Sequence, residues 1–215
     1  MKTTSYLLAT VLALGLSGGA MAEGEAFSAK LNGAQQVRTA TILDSQGSEV
    51  SIPIGPLVTG AYGHAHFKLS PDGTMLHYEF EATGFSTPLF MAHIHLGPKG
   101  ANGGVLFWLF ADASNAPFTP PRDDGPFTGS ISGVLTADDL SPMPGLGVNT
   151  FEDAVANIMN GNTYVNLHTT ANPGGEIRGQ IKHKKMDKRH GPPFGRDFPF
   201  GRGNSPFGPG FPFER

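Results

Sequence analysis

Glycine and proline punctuate this chain so often that no long regular helix can run through most of it. Together they supply 48 of its 215 residues, 30 Gly and 18 Pro. Glycine costs backbone entropy inside a helix, and proline removes a donor and clashes with the preceding turn. Between these breaks lie short apolar/polar alternations, the pattern of strands with one buried face. Expected strands cover 26–31, 58–70, 74–83, 90–96, 105–110, 127–135, 164–169 and 176–182. Pro71-Asp72-Gly73 is a turn signal between the second and third. Residues 39–57 read as a Pro/Gly-containing excursion, 111–126 as a polar loop, and 136–140 as one capped helical turn. A single helix is expected over 150–159: Thr150 or Asn149 caps it, Glu152 and Asp153 occupy its first turn, and Gly161 stops it. The pattern is all-β, one antiparallel sandwich or Greek-key barrel with one short helix.

The ends of the chain read differently from its middle. Residues 1–22 have the form of a secretory signal: Lys2, an apolar run from Leu7 to Leu16, and the small-x-small site Ala20-Met21-Ala22. The run is shorter than the roughly 20 apolar residues a membrane span needs. No second such run follows, so no membrane span is expected, and a periplasmic or secreted protein is. The formal charge of −3 conceals a split. Residues 23–181 carry a net −9 and residues 182–215 a net +5. Residues 183–215 repeat Pro-Phe-Gly from Pro193, Pro199 and Pro206 and lack any amphipathic period, so a disordered basic tail is expected, able to meet a protein or cell-surface partner. Nucleic acid is not an expected partner, because the body between the ends is acidic.

The absence of cysteine excludes disulfides, thiolate metal sites and a cysteine nucleophile. No Gly-x-Ser-x-Gly elbow and no Gly-rich phosphate loop before a helix occur. What stands out is histidine. Side chains alternate across a strand, so His64 and His66 oppose Ala65, Phe67 and Leu69; His93 and His95 oppose Ala92, Ile94 and Leu96; and His168 opposes Val165 and Leu167. Each imidazole is expected on the outside of the sheet or on a loop-covered flank of it. A His-x-His pair offers two ligands on one side, and a third from another strand completes a copper site, with zinc the second choice. The candidate ligands are His93, His95 and His168 with His64 or His66. Met75 and Met91 are soft donors, expected instead in the core. His77 reads as an exposed strand residue, and His183 and His190 fall in the tail. Tyr164 and Asn166 are candidates for fixing the tautomer of His168. Glu176 and Arg178, two apart on one strand face, read as a structural ion pair. Gly174-Gly175 reads as a tight turn. Asp123-Asp124 is a candidate cation-binding pair, and Asp138-Asp139 a capping pair.

Three stretches together carry a family pattern: Ala92-His93-Ile94-His95-Leu96-Gly97, Tyr164-Val165-Asn166-Leu167-His168-Thr169, and Gly175-Glu176-Ile177-Arg178-Gly179. With Gly104-Val105 they resemble the CHRD domain, named from chordin and found alone in secreted bacterial proteins. The resemblance spans roughly 26–182 and gives a CHRD-like β domain over 23–182. It implies an immunoglobulin-like all-β body and extracellular placement, and it does not imply a settled enzymatic activity. His64-Ala65-His66 departs from the pattern. The expected function is an exported metal-binding protein, most simply for copper sequestration or delivery. The alternatives are an extracellular interaction or matrix module without metal, and a copper enzyme similar to superoxide dismutase.

Overall fold

The computed structural model describes residues 24–111 and 125–184. The expected signal segment, Asp123-Asp124, His190 and the tail from residue 185 onward lie outside the described residues. The chain runs β1 (Ala26–Asn32), β2 (Thr39–Leu43), β3 (Glu49–Pro53), β4 (Tyr62–Leu69), β5 (Leu76–Thr83), β6 (Leu89–Leu96), β7 (Val105–Phe110), β8 (Gly129–Leu135), α1 (Phe151–Met159), β9 (Thr163–Thr169), β10 (Asn172–Gln180) and β11 (Lys182–His183).

One antiparallel sheet follows the order β7-β6-β9-β10-β1-β4-β5-β8, with β11 added beside β1. The late strands β9 and β10 insert between β6 and β1, and the sheet curls into a nearly closed barrel. Its two edges, β7 and β8, meet at a seam. There the Tyr78 hydroxyl donates to the Leu109 carbonyl at 2.7 Å, and the Ser141 amide donates to the Leu106 carbonyl at 2.9 Å. These bonds occupy edge groups that a sheet otherwise leaves unpaired.

The alternation seen in the sequence decides the interior. Ala65 and Phe67 on β4, Phe80 on β5, Ile94 on β6, Val165 and Leu167 on β9, and Ile177 on β10 all lie in the apolar core. Helix α1 adds Phe151, Ala154, Val155 and Ile158, spaced i, i+3, i+4, i+7 along one face. Thr150 is its cap: the Asp153 amide donates to Thr150 Oγ1 at 3.1 Å, and the Thr150 amide donates back to the Asp153 carboxylate at 3.0 Å. Asp139 plays the same part for Thr136, so the expected capping pair does cap a short helical turn (Ala137–Asp139).

Two expectations need correction. The excursion at 39–57 contains a hairpin, β2–β3, whose side chains are mostly exposed. Gly174 and Gly175 do not form the tight turn; they lie within β10, where its register against β9 shifts between Asn172 and Ile177.

Candidate metal centre

His93 and His95 leave β6 on the side away from Ala92 and Ile94, as alternation requires. The register pairs His93 with Asn166 and His95 with Tyr164 on β9, and His93 with Trp108 on β7. His168 lies two residues beyond Asn166 on the same face. The three imidazoles therefore come from two strands in direct contact. One ring nitrogen from each lies within 4.8 Å of the other two.

This outer face is not open to water. His93, His95 and His168 are 2%, 8% and 5% exposed. The cover is polar. Residues 97–104 fold over the flank, held by the buried Arg178, which donates to Asn102 Oδ1 at 3.1 Å, to the Pro98 carbonyl at 3.3 Å and to the Ala101 carbonyl at 2.7 Å. Gln180 Nε2 donates to the Gly97 carbonyl at 3.0 Å, and the Gly103 amide donates to the Tyr164 hydroxyl at 3.1 Å. Gln36, just past the short helical turn that follows β1, donates to Asn166 Oδ1 at 2.7 Å. The Tyr164 ring meets both His95 and Arg178. His95 stacks on it at 4.9 Å with planes 4° apart, and Arg178 Cζ stands 3.4 Å from its centroid. Only glycine lets residue 103 come so close to β6: a Cβ there would fall 1.5 Å from the Leu96 carbonyl oxygen.

Backbone carbonyls fix two tautomers. His95 Nδ1 lies 3.0 Å from the Gly103 carbonyl, and His168 Nδ1 lies 2.9 Å from the Pro173 carbonyl. Each nitrogen must carry the hydrogen to donate, so each Nε2 keeps its lone pair. His93 Nδ1 is 3.1 Å from His168 Nε2. In the metal-free protein that contact is a hydrogen bond donated by His93. Two nitrogens bound tetrahedrally to one ion at about 2.0–2.1 Å would stand about 3.3 Å apart, close to what the rings already adopt. His93 Nε2 and His95 Nε2 are buried and have no hydrogen-bond partner.

Burial holds all three rings neutral. It pushes His93 down to about 2, helped by His168 and His95, and His168 down to about 4, against the opposing Pro173 hydrogen bond. Burial lowers His95 as well, against the Gly103 hydrogen bond and with Arg178 assisting. Neutral imidazoles are the ligand form a metal requires.

The structure separates the remaining candidates. His64 and His66 do face outward from β4, but β10 and β1 stand between that strand and β9. Three strand spacings amount to about 14 Å. His64 instead faces Glu81, with 4.0 Å between Nδ1 and Oε1. His183 belongs to β11 and pairs with Glu25. Asn166 and Tyr164 do not set the His168 tautomer; the Pro173 carbonyl does. Glu176 and Arg178 form no ion pair. The Glu176 carboxylate accepts from Thr59 at 2.6 Å, Thr169 at 2.5 Å and Asn172 at 3.1 Å, while Arg178 serves the covering loop. The sequence reading missed Gly103, Pro173, Gln36 and Trp108 as parts of the site. Trp108 carries a signal of its own: as the sole tryptophan, its ring meets His93 edge-on at 4.1 Å.

The CHRD domain model matches residues 27–181. No curated protein and no solved structure matches the chain. The matched span covers β1 through β10 and every imidazole of the cluster, and on that ground the chain belongs to the CHRD domain family.

Proposed function

We propose that this is an exported copper-binding protein, serving sequestration or delivery, whose ligands are His93, His95 and His168. The observation that carries the reading is the convergence of three neutral imidazoles, with His93 Nδ1 and His168 Nε2 already 3.1 Å apart and His95 Nε2 buried without a partner. A buried polar atom left unpaired costs about 1–3 kcal/mol. A metal ion satisfies the His95 lone pair, and the Gly103 and Pro173 carbonyls orient His95 and His168 from behind, as the outer partners of ligand histidines do. Imidazole donors without thiolate suit copper and zinc. Export is supported by the signal-like residues 1–22, and none of the described helices is long and apolar enough to cross a membrane.

The test uses Trp108 as the reporter. Copper added to the protein should quench its emission and saturate at one ion per chain. The thermal midpoint should rise, because an ion at about 1,000 times its Kd stabilises the folded state by about 4 kcal/mol. A protein that takes up neither copper nor zinc, and whose midpoint moves with neither, overturns the reading and leaves an interaction module as the better one.

A further inference from the structure

Met91 precedes His93 by two residues on β6 and so projects to the same side. The register sets it directly opposite His168 on β9, and the pairing runs unbroken from Met91 to Leu96. Directly opposed residues have Cβ atoms about 4.5–5.5 Å apart on one face of the sheet. The core role expected for Met91 is not what the structure shows. It is only half-buried, and neither the apolar core nor the partly buried residues packed against that core include it, although Met143 and Leu96 belong to the latter. A flexible thioether thus stands on the imidazoles' face of β6, opposite His168 and outside the apolar core.

The electrostatics of the flank narrow the choice of ion. No carboxylate joins the three rings. The groups behind His95 and His168 are neutral carbonyls. The charged group stacked nearby, Arg178 across the Tyr164 ring, is itself a cation. A dication here would bring two uncompensated charges into a buried place. The desolvation cost of an ion grows with the square of its charge, so a monovalent ion pays about a quarter as much. Monovalent copper is soft, accepts thioether sulfur readily, and needs no anionic ligand.

We propose that Met91 Sδ is the fourth donor, giving a three-nitrogen, one-sulfur site that selects Cu(I) over Zn(II) and Cu(II). This rests on the copper reading above and adds a donor and an oxidation state to it. The experiment is X-ray absorption on the full chain loaded anaerobically with Cu(I), beside the Met91→Leu variant. Leucine keeps the volume and apolar character, and an unchanged thermal midpoint without metal verifies its fold. The native protein should show nitrogen scattering plus one sulfur at about 2.3 Å. The variant should lose the sulfur, keep the nitrogens, and bind Cu(I) about tenfold or more weakly, with Zn(II) affinity unchanged within about twofold. Copper held by nitrogen alone in the native protein, or equal Cu(I) affinity in the variant, overturns the assignment of Met91 and leaves the imidazole site standing. Zn(II) or Cu(II) held as tightly as Cu(I) overturns the selectivity. Uptake of no metal at all overturns both this proposal and the reading beneath it.

Discussion

Two flanks of the same barrel carry the same motif and treat it in opposite ways. On β4, His64 and His66 lie on the outer face, beside Lys30 and Ser28 of β1 and Glu81 and Glu79 of β5. On β6, His93 and His95 lie on the outer face beside Trp108 of β7 and Tyr164 and Asn166 of β9. Strand alternation places both pairs outside the apolar core. What separates them is cover. The β4 pair meets charged neighbours and water, and its imidazoles can hydrogen-bond outward. The β6 pair lies beneath residues 97–104, where two ring nitrogens find nothing to bond. A His-x-His on a strand is therefore no site in itself; it becomes a candidate where the flank above it is closed and its lone pairs are left unanswered.

The largest expected difference between the flanks is in metal affinity. His93→Ala and His168→Ala should each lower copper affinity by at least about 100-fold, since each removes a ligand outright. The double variant His64→Ala/His66→Ala should keep one copper per chain at an affinity within about twofold of native. Trp108 emission titrated with copper measures both. Equal losses on the two flanks would mean the distinction drawn from burial is wrong.

The cover itself should be worth almost as much. Arg178 is fully buried and holds three acceptors on the 98–102 segment while stacking on Tyr164. Arg178→Ala leaves those acceptors unpaired and frees the segment that carries the Gly103 carbonyl. The expected loss is about 2–4 kcal/mol, read from denaturant midpoints. Arg178→Lys should recover little of it, because an ammonium cannot reproduce the planar fork. Copper affinity should fall in the same variants, since His95 loses its orienting acceptor. Native-like stability in Arg178→Ala would show that the covering segment holds itself in place.

These two results mark what the sequence does and does not reveal. Alternation in 63–69, 74–80, 91–96 and 164–168 is enough to place every body histidine on the outer face, and the Thr150 box with its i, i+3, i+4, i+7 stripe is enough to place the helix. Closure of one flank is not legible, because the groups that close it are generic. The acceptors for His95 and His168 are main-chain carbonyls, which every residue possesses. The covering segment 97–104 is half glycine, with one proline and only Lys99 and Asn102 polar, so its composition resembles an ordinary loop. The ion pair expected between Glu176 and Arg178 fails for a related reason. Spacing of two predicts a shared face, but the register shift in β10 and the hydroxyls of Thr59 and Thr169 give Glu176 other partners. The hairpin at 39–53 stays hidden because its strands bury little, leaving weak alternation to read.

Acid should expose the closed flank in the metal-free protein. Burial lowers His168 to about 4 and His93 to about 2, and lowers His95 too. The unfolded chain takes up these protons near the ordinary value of 6.5, whereas the folded chain refuses them. Stability from this source is complete above pH 6.5 and is lost as the pH falls below it, down to each folded value. Between pH 6.5 and 5.5 the loss should be about 1 kcal/mol each for His93 and His168. Urea midpoints across that interval check the slope, and His168→Asn should flatten it. A native slope unchanged by that variant would show that the ring is reached by protons in the folded state.

The smallest expected effect belongs to the open flank. His64 and Glu81 stand 4.0 Å apart with side chains 44% and 67% exposed. At that exposure water and salt screen the pair, and ordering two side chains offsets most of the attraction. Glu81→Gln should change stability by about 0.5 kcal/mol or less, with copper uptake and Trp108 quenching unaltered. The informative comparison is with His93→Asn, which alters the same motif position on the closed flank. There the substitution should abolish tight copper binding while shifting the metal-free midpoint in either direction, because the ring it removes carries an unsatisfied nitrogen as well as packing area. A Glu81 variant that loses as much stability as Arg178→Ala would mean the β4 flank is covered in solution too, and the contrast between two identical motifs would no longer rest on what lies above them.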